Sequence, residues 1–443
     1  MLRQCLARDA SAADTLHNLG LARAAQGHFG EASSLFARAI GQHPGYVSAY
    51  YNLALALQAD GHVERAAAVY ERVIALQPDH AQAWNNLGII HHGKNDLETA
   101  CWRYRRALEA DPEIETTRAN LASALQSLGD ASAAAALFDE ALRRDPHDPL
   151  AHYILAQIDY LSGDVVHATE KLIVALDALI TRTGWLTHAA PDSRAIPLID
   201  VESFRQALAA VLELTSAASF DVCLLCGTLL GAIRDGDIIR HDKDIDLGID
   251  AAVTPAMLDA VMSKDDRFQR GTSLADDTVL PYYVYKNIAI DFFRLYREED
   301  TLWYGLTWRG HLVRYRHQPF GLRDFTFLGV TTKIPEDSEC YLVEVYGEDW
   351  RTPDPYFAAW ASPNIEGGFP PVCRCLAYAN IFKAAWSGDA ARARRYCEQA
   401  LALDAGDTRV AALRDILNTH SARLSMPWSS FLQTPGDPFD APT

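Results

Sequence analysis

Residues 220–250 read FDVCLLCGTLLGAIRDGDIIRHDKDIDLGID. At the end of this stretch, Asp244-Ile245-Asp246-Leu247-Gly248-Ile249 alternates acidic and aliphatic residues. In a strand, successive side chains point to opposite faces, so Asp244 and Asp246 project together while Ile245 and Leu247 are buried behind them. Two carboxylates on one face repel each other unless a cation stands between them. Mg²⁺, with its preference for hard oxygen ligands and one or two carboxylates plus substrate phosphates, suits this pair, and Mn²⁺ is the substitute. Upstream, Val222 to Leu225 is a short apolar run that reads as a buried strand ending at Gly227-Thr228. A glycine lets the backbone turn sharply there, and the helix that begins with Leu229 to Arg234 would aim its free N–H groups at a phosphate.

A third acid is expected on a neighbouring strand. In Asn287 to Leu295, Ile288, Ile290, Phe292 and Arg294 share one face and Ala289, Asp291 and Phe293 the other. Asp291 is alone in an apolar run, where an acid rarely sits unpaired. It is read as a third metal ligand or as the base that accepts a hydroxyl proton. Arg234 is a candidate for binding donor phosphate or for bracing the acidic loop, and Lys286 and Arg294 for holding phosphate oxygens, with structural or solvated charges at least an equal reading for these two. Cys223 and Cys226 form a C-x-x-C without a second pair at zinc spacing, so they are assigned to the core.

Before this region the chain repeats itself every 34 residues: Leu19, Leu53, Leu87, Leu121 and Leu155 recur in phase. Each is followed by a small residue, Gly20, Ala54, Gly88, Ala122 or Ala156. Alanine recurs at Ala32, Ala66, Ala100, Ala134 and Ala168, and proline at Pro44, Pro78, Pro112 and Pro146. This resembles the tetratricopeptide repeat, which implies a solenoid of paired helices with a concave groove. Asn18, Asn52, Asn86 and Asn120 fill one column, and amides there could hold the backbone of a bound peptide. A protein or peptide in the groove is favoured over a plain scaffold.

GTLLGAIRDGDIIRHDKDIDLGI resembles the signature of the LicD/fukutin family. FTFLGVTTKIP and YLVEVYGEDWRTP, within Phe325 to Pro353, are similar to the end of the same domain. The chain departs from the family pattern at Arg240-His241 and at Lys243. The resemblance implies transfer of a phosphoalcohol from a CDP-alcohol (CDP-choline, CDP-ribitol or CDP-glycerol) to a sugar hydroxyl of a glycan or glycosylated acceptor. By position it implies Gly227 and Thr228 at the phosphate turn, Asp244 and Asp246 as the metal pair and Asp291 as the third acid. Asp242 is a secondary candidate. Tyr346, Gly347, Trp350 and Pro353 are read as packing. The same acids would serve nucleotidyl transfer to a small molecule or protein, and a scaffold with a non-catalytic module is the third reading.

The expected architecture is multidomain. An all-α repeat solenoid spans 1–176 and a linker 177–199, with one helix from Val201 to about Ala217. An α+β nucleotidyltransferase-like domain spans 200–363, and a C-terminal helical, repeat-like segment with an irregular tail spans 364–443. The formal net charge of −18 argues against nucleic acid as the main partner. No apolar run approaches the ~20 residues of a membrane span. The first residues lack the apolar core of a secretory signal. Eight scattered cysteines do not form a disulfide framework. The expectation is a cytoplasmic protein that meets lipid-linked substrates at the inner membrane surface.

Overall fold

The computed structural model describes residues 2–182, 199–240, 242, 244–271 and 280–419. Most of the expected linker, Lys243 and the proline-rich tail lie outside the described residues. The chain forms two compact units, Met1–Pro146 and His147–Thr443.

The first unit is eight helices: α1 (Leu2–Ala25), α2 (Phe29–Gln42), α3 (Val47–Ala59), α4 (Val63–Leu76), α5 (Ala81–Gly93), α6 (Leu97–Ala110), α7 (Glu115–Ser127) and α8 (Ala131–Arg144). The repeat columns have direct physical reasons. Ala32, Ala66, Ala100 and Ala134 are fully buried, because only a methyl fits where paired helices touch. A Cβ at Gly88 would come within 2.4 Å of the Tyr104 ring, and one at Gly20 within 2.6 Å of Phe36. The small column is therefore where an aromatic ring of the second helix docks onto the first. Asp96 and Asp130 cap α6 and α8 by accepting from the backbone N–H of Thr99 and Ala133.

The second unit opens with α9 (Pro149–Leu161) and α10 (Val165–Thr181), which keep the repeat phase. Helix α10 packs on the C-terminal helices α15 (Pro371–Trp386) and α17 (Thr408–Thr419), and α16 (Ala390–Leu403) packs on both of these. Tyr153 stacks on Phe382 with ring centroids 4.7 Å apart, and Asp177 pairs with Arg409. The fifth repeat thus belongs to the unit that carries the sheet. Sequence period does not reveal this, because the phase runs on while the packing partner changes.

Between these helices lie α11 (Val201–Ala217), β1 (Val222–Leu224), α12 (Cys226–Arg234), β2 (Asp244–Asp250) and α13 (Pro255–Met262). There follow β3 (Gln269–Arg270), β4 (Tyr283–Tyr285), β5 (Ile288–Glu298), β6 (Thr301–Trp308), β7 (His311–His317), β8 (Leu322–Phe327), β9 (Val330–Pro335) and α14 (Ser338–Tyr346). One sheet runs β1-β2-β5-β4-β3, with β6 on the far end of β5 and β7 on β6. Only β2 and β5 are parallel among its pairs, and Asp246 stands opposite Asp291. Ile245, Leu247 and Ile290 are buried in a core with Phe204, Leu208 and Val211 of α11. Helix α12 starts at Cys226, earlier than the sequence suggests, so Cys226 opens a helix instead of ending a strand. No helix among the described residues is long and apolar enough to cross a membrane.

Candidate metal and phosphate site

The sheet carries its acids on one face. Asp244 and Asp246 are 4% and 6% exposed, so both strand faces of β2 are covered, unlike a solvated amphipathic strand. Asp242, in the irregular approach to β2, joins them: one ligand oxygen of each of Asp242, Asp244 and Asp246 lies within 4.8 Å of the others. Asp291 faces the same side from the neighbouring strand but is outside that trio. The sequence ranked Asp242 below Asp291; the structure groups Asp242 with Asp244 and Asp246.

Crowding and burial oppose ionisation. Burial, then Asp246 and Asp242, push Asp244 up to about 11. Burial, then Asp242 and Asp291, also raise Asp246, partly offset by backbone N–H groups of Thr228 and Gly227. Burial and then Asp242 push Asp291 up to about 6. Asp242 and Asp244 share a hydrogen bond, so one of the two carries a proton when no cation is present. Three oxygens this close and this poorly solvated suit a divalent cation, which would displace that proton.

The turn before α12 is built around Asp246. Leu225 N–H donates to the Asp246 carbonyl at 3.1 Å, and Asp246 N–H donates to Thr228 Oγ1 at 2.9 Å. Thr228 N–H donates to Asp246 Oδ2 at 3.2 Å. The helix N-terminus expected to receive phosphate therefore already holds a carboxylate. At Gly227 a Cβ would lie 2.2 Å from Asp242 Oδ2, so the glycine makes room for the acid.

The basic candidates are not gathered on the acids. Arg234 makes two hydrogen bonds to Asp235, at 2.9 and 2.8 Å. Lys286 donates to Gln206 of α11 at 2.8 Å. Arg294 lies on the opposite face of β5 from Asp291, donates to the Ala251 carbonyl and covers the Tyr296 ring. The asparagine column is engaged at the joints between repeats. Asn52 meets His17 at 2.8 Å, Asn86 donates to Tyr70 at 3.0 Å, and Asn120 donates to Asn85 at 3.0 Å. Asn18 alone of the four is exposed.

Sequence reasoning assigned Tyr346 to packing; burial, and after it Cys226, Asp246, Asp242 and Asp244, raise its phenol. It ends α14 and tilts against Phe357 at 4.6 Å. The only signal for it was its place at the head of Tyr346-Gly347-Glu348-Asp349-Trp350, a hundred residues from the acids.

The family model described as LicD/FKTN/FKRP, nucleotidyltransferase domain, matches residues 219–337. The tetratricopeptide repeat model matches 17–61, 51–113 and 120–178. A protein named ribitol-5-phosphate transferase FKTN from Mus musculus is 27% identical over 188 residues, covering 39% of this chain and 40% of its own. The Homo sapiens protein of that name is 26% identical over 190 residues, with the same coverage. The chain thus spans two-fifths of the length of these relatives. Among solved structures, MamA from Desulfovibrio magneticus RS-1 is 18% identical, with a TM-score of 0.35, over 39% of this chain and 97% of that one. A tetratricopeptide protein of Thermus thermophilus is 22% identical, with a TM-score of 0.32, over 39% and 94%. The chain therefore joins a tetratricopeptide repeat array to a nucleotidyltransferase domain of the LicD/FKTN/FKRP family.

Proposed function

We propose that this domain transfers a phosphoalcohol from a CDP-alcohol to a hydroxyl of a glycan or glycosylated acceptor, with Mg²⁺, or Mn²⁺ in its place. The observation that carries this reading is the trio Asp242, Asp244 and Asp246, of which Asp244 and Asp246 are buried and Asp242 half-buried. The family match and the activity for which the fukutin relatives are named support the choice of transferred group. A divalent cation held by Asp242, Asp244 and Asp246 would supply neutralisation of phosphoryl oxygens and orientation of the leaving group.

In this reading Asp244 and Asp246 hold the cation, Asp242 completes the set, and the turn at 225–228 fixes Asp246 against its backbone. Asp291 stands beside the trio with its carboxyl raised into the range of a useful base, and it accepts the proton of the attacking hydroxyl. The acceptor oxygen bonds to the phosphorus that bears the alcohol, the bond to the inner phosphate breaks, and CMP leaves. The repeat array recruits the acceptor or a protein partner.

The experiment is a calorimetric titration of the full chain with Mn²⁺ and then CDP, followed by incubation with CDP-alcohols labelled in the alcohol or in the cytidine. Expected are cation-dependent CDP binding, CMP release and alcohol label on the product. Asp244→Ala and Asp246→Ala should abolish all three while leaving the melting temperature within a few degrees. Full turnover in either variant removes the metal assignment, and cytidine label on the product would make the enzyme a nucleotidyltransferase.

A further inference from the structure

Cys226 is the most unusual residue of the clasp around Asp246. Its backbone φ is +44°, in the left-handed region that a residue with a Cβ avoids. Residues on either side of it make the three hydrogen bonds to Asp246, so the clasp closes only if Cys226 keeps this conformation. A strained residue persists only where its surroundings over-determine it.

Those surroundings are two tyrosine hydroxyls. Cys226 N–H donates to Tyr341 Oη at 3.4 Å, and the Cys226 thiol lies 3.5 Å from Tyr341 Oη and 3.4 Å from Tyr304 Oη. Both rings are locked. Tyr341 stacks on His317 at 4.6 Å and 13°. Tyr304 is sandwiched between His317, at 5.4 Å, and Tyr315, at 5.0 Å. His317 is itself fixed, with Nδ1 3.0 Å from Glu344 Oε2 and Nε2 3.1 Å from Asn364 Nδ2. An amide nitrogen donates, so Nε2 accepts and Nδ1 carries the proton toward Glu344. The stack runs from the cluster beneath α14 to the turn beside the acids, and Tyr341 lies beyond the span matched by the family model.

We infer that Tyr341, aided by Tyr304, is a positioning residue: its hydroxyl holds the left-handed Cys226 turn, and through it the Asp246 carboxylate, in cation-binding geometry. The inference rests on the transferase reading for its function but on the turn alone for its structure. Removing the hydroxyl lets Cys226 relax toward negative φ, which pulls the N–H groups of Leu225 and Thr228 away from Asp246. A glycine at position 226 occupies the same φ without support. Loss of the hydroxyl should then cost little.

The test is a cycle on the full chain: Tyr341→Phe, Cys226→Gly and both together. Mn²⁺ affinity by calorimetry, hydrogen exchange of the segment 225–229 and, with a donor, kcat and KM are measured. Tyr341→Phe is expected to weaken Mn²⁺ about tenfold, to speed exchange in 225–229 and to lower kcat more than KM. Cys226→Gly should stay within about threefold of the parent, and the double variant should recover most of the lost affinity and protection. Parental exchange rates in Tyr341→Phe, or a double variant no better than Tyr341→Phe, overturn the inference. If the parent binds no Mn²⁺ while the exchange pattern follows the cycle, the transferase reading fails and the positioning role stands.

Discussion

A methyl group at residue 227 would collide with Oδ2 of Asp242 at 2.2 Å, and would lie 3.2 Å from Oδ2 of Asp246. Gly227→Ala therefore has to push an acid out of the trio. The expected cost is about 1–3 kcal/mol of stability, together with a large loss of Mn²⁺ affinity; unchanged calorimetry and melting would contradict the placement of Asp242. At this scale, local pattern revealed Asp244, Asp246 and Asp291, because strand alternation dictates which side chains share a face. It did not reveal the rank of Asp242, which sits in irregular backbone where no period applies. Nor did it show Tyr341, which meets Cys226 only through the packing of α14 beside α12. Lys286 and Arg294 show the converse: proximity in sequence to Asp291 put neither on its face.

At the scale of elements, the joints between repeats explain the asparagine column better than a groove does. Asn85 accepts from both Thr117 Oγ1, at 3.1 Å, and Asn120 Nδ2, at 3.0 Å, and all three residues are buried. Asn85→Ala would strand two donors away from water. The expected loss is about 1–3 kcal/mol for each buried group left unmade. Faster amide exchange in α5 and α7 measures it, and parental exchange would show that the joint is dispensable. A column of amides at the repeat period looks the same in sequence whether it faces a ligand or the next repeat, so only the fold decides. By contrast α11 was legible to the residue, since Asp200 at its N-cap and the apolar face of Phe204, Leu208 and Val211 mark both its start and its buried side.

At the scale of the whole molecule, the acids make stability depend on both pH and cation. The folded-state values of Asp291, about 6, and Asp244, about 11, lie above the ordinary 3.8. For groups raised in this way, the stabilising contribution is present below the unfolded value and is lost as pH rises through the folded one. Without divalent cations the cluster thus weakens the fold progressively from about pH 4 upward, through 6 and beyond. Cations compete with protons for the same oxygens, so the melting-temperature gain from Mg²⁺ should grow between pH 5 and pH 8. A gain that is flat or shrinking over that window would contradict cation binding at the trio.

The fifth repeat, held by Tyr153 against Phe382 and by Asp177 against Arg409, sets where the chain can be cut and re-engineered. The natural cut for cassette exchange lies at Pro146–His147 and not where the repeat pattern fades. A chain begun at His147 should express as a folded, Mn²⁺-binding protein, whereas one begun at Val201 should aggregate, because the α10-facing side of α15 would be laid bare. Upstream repeats can then be shortened or exchanged without touching α15, while the last one has to stay with the unit it packs in.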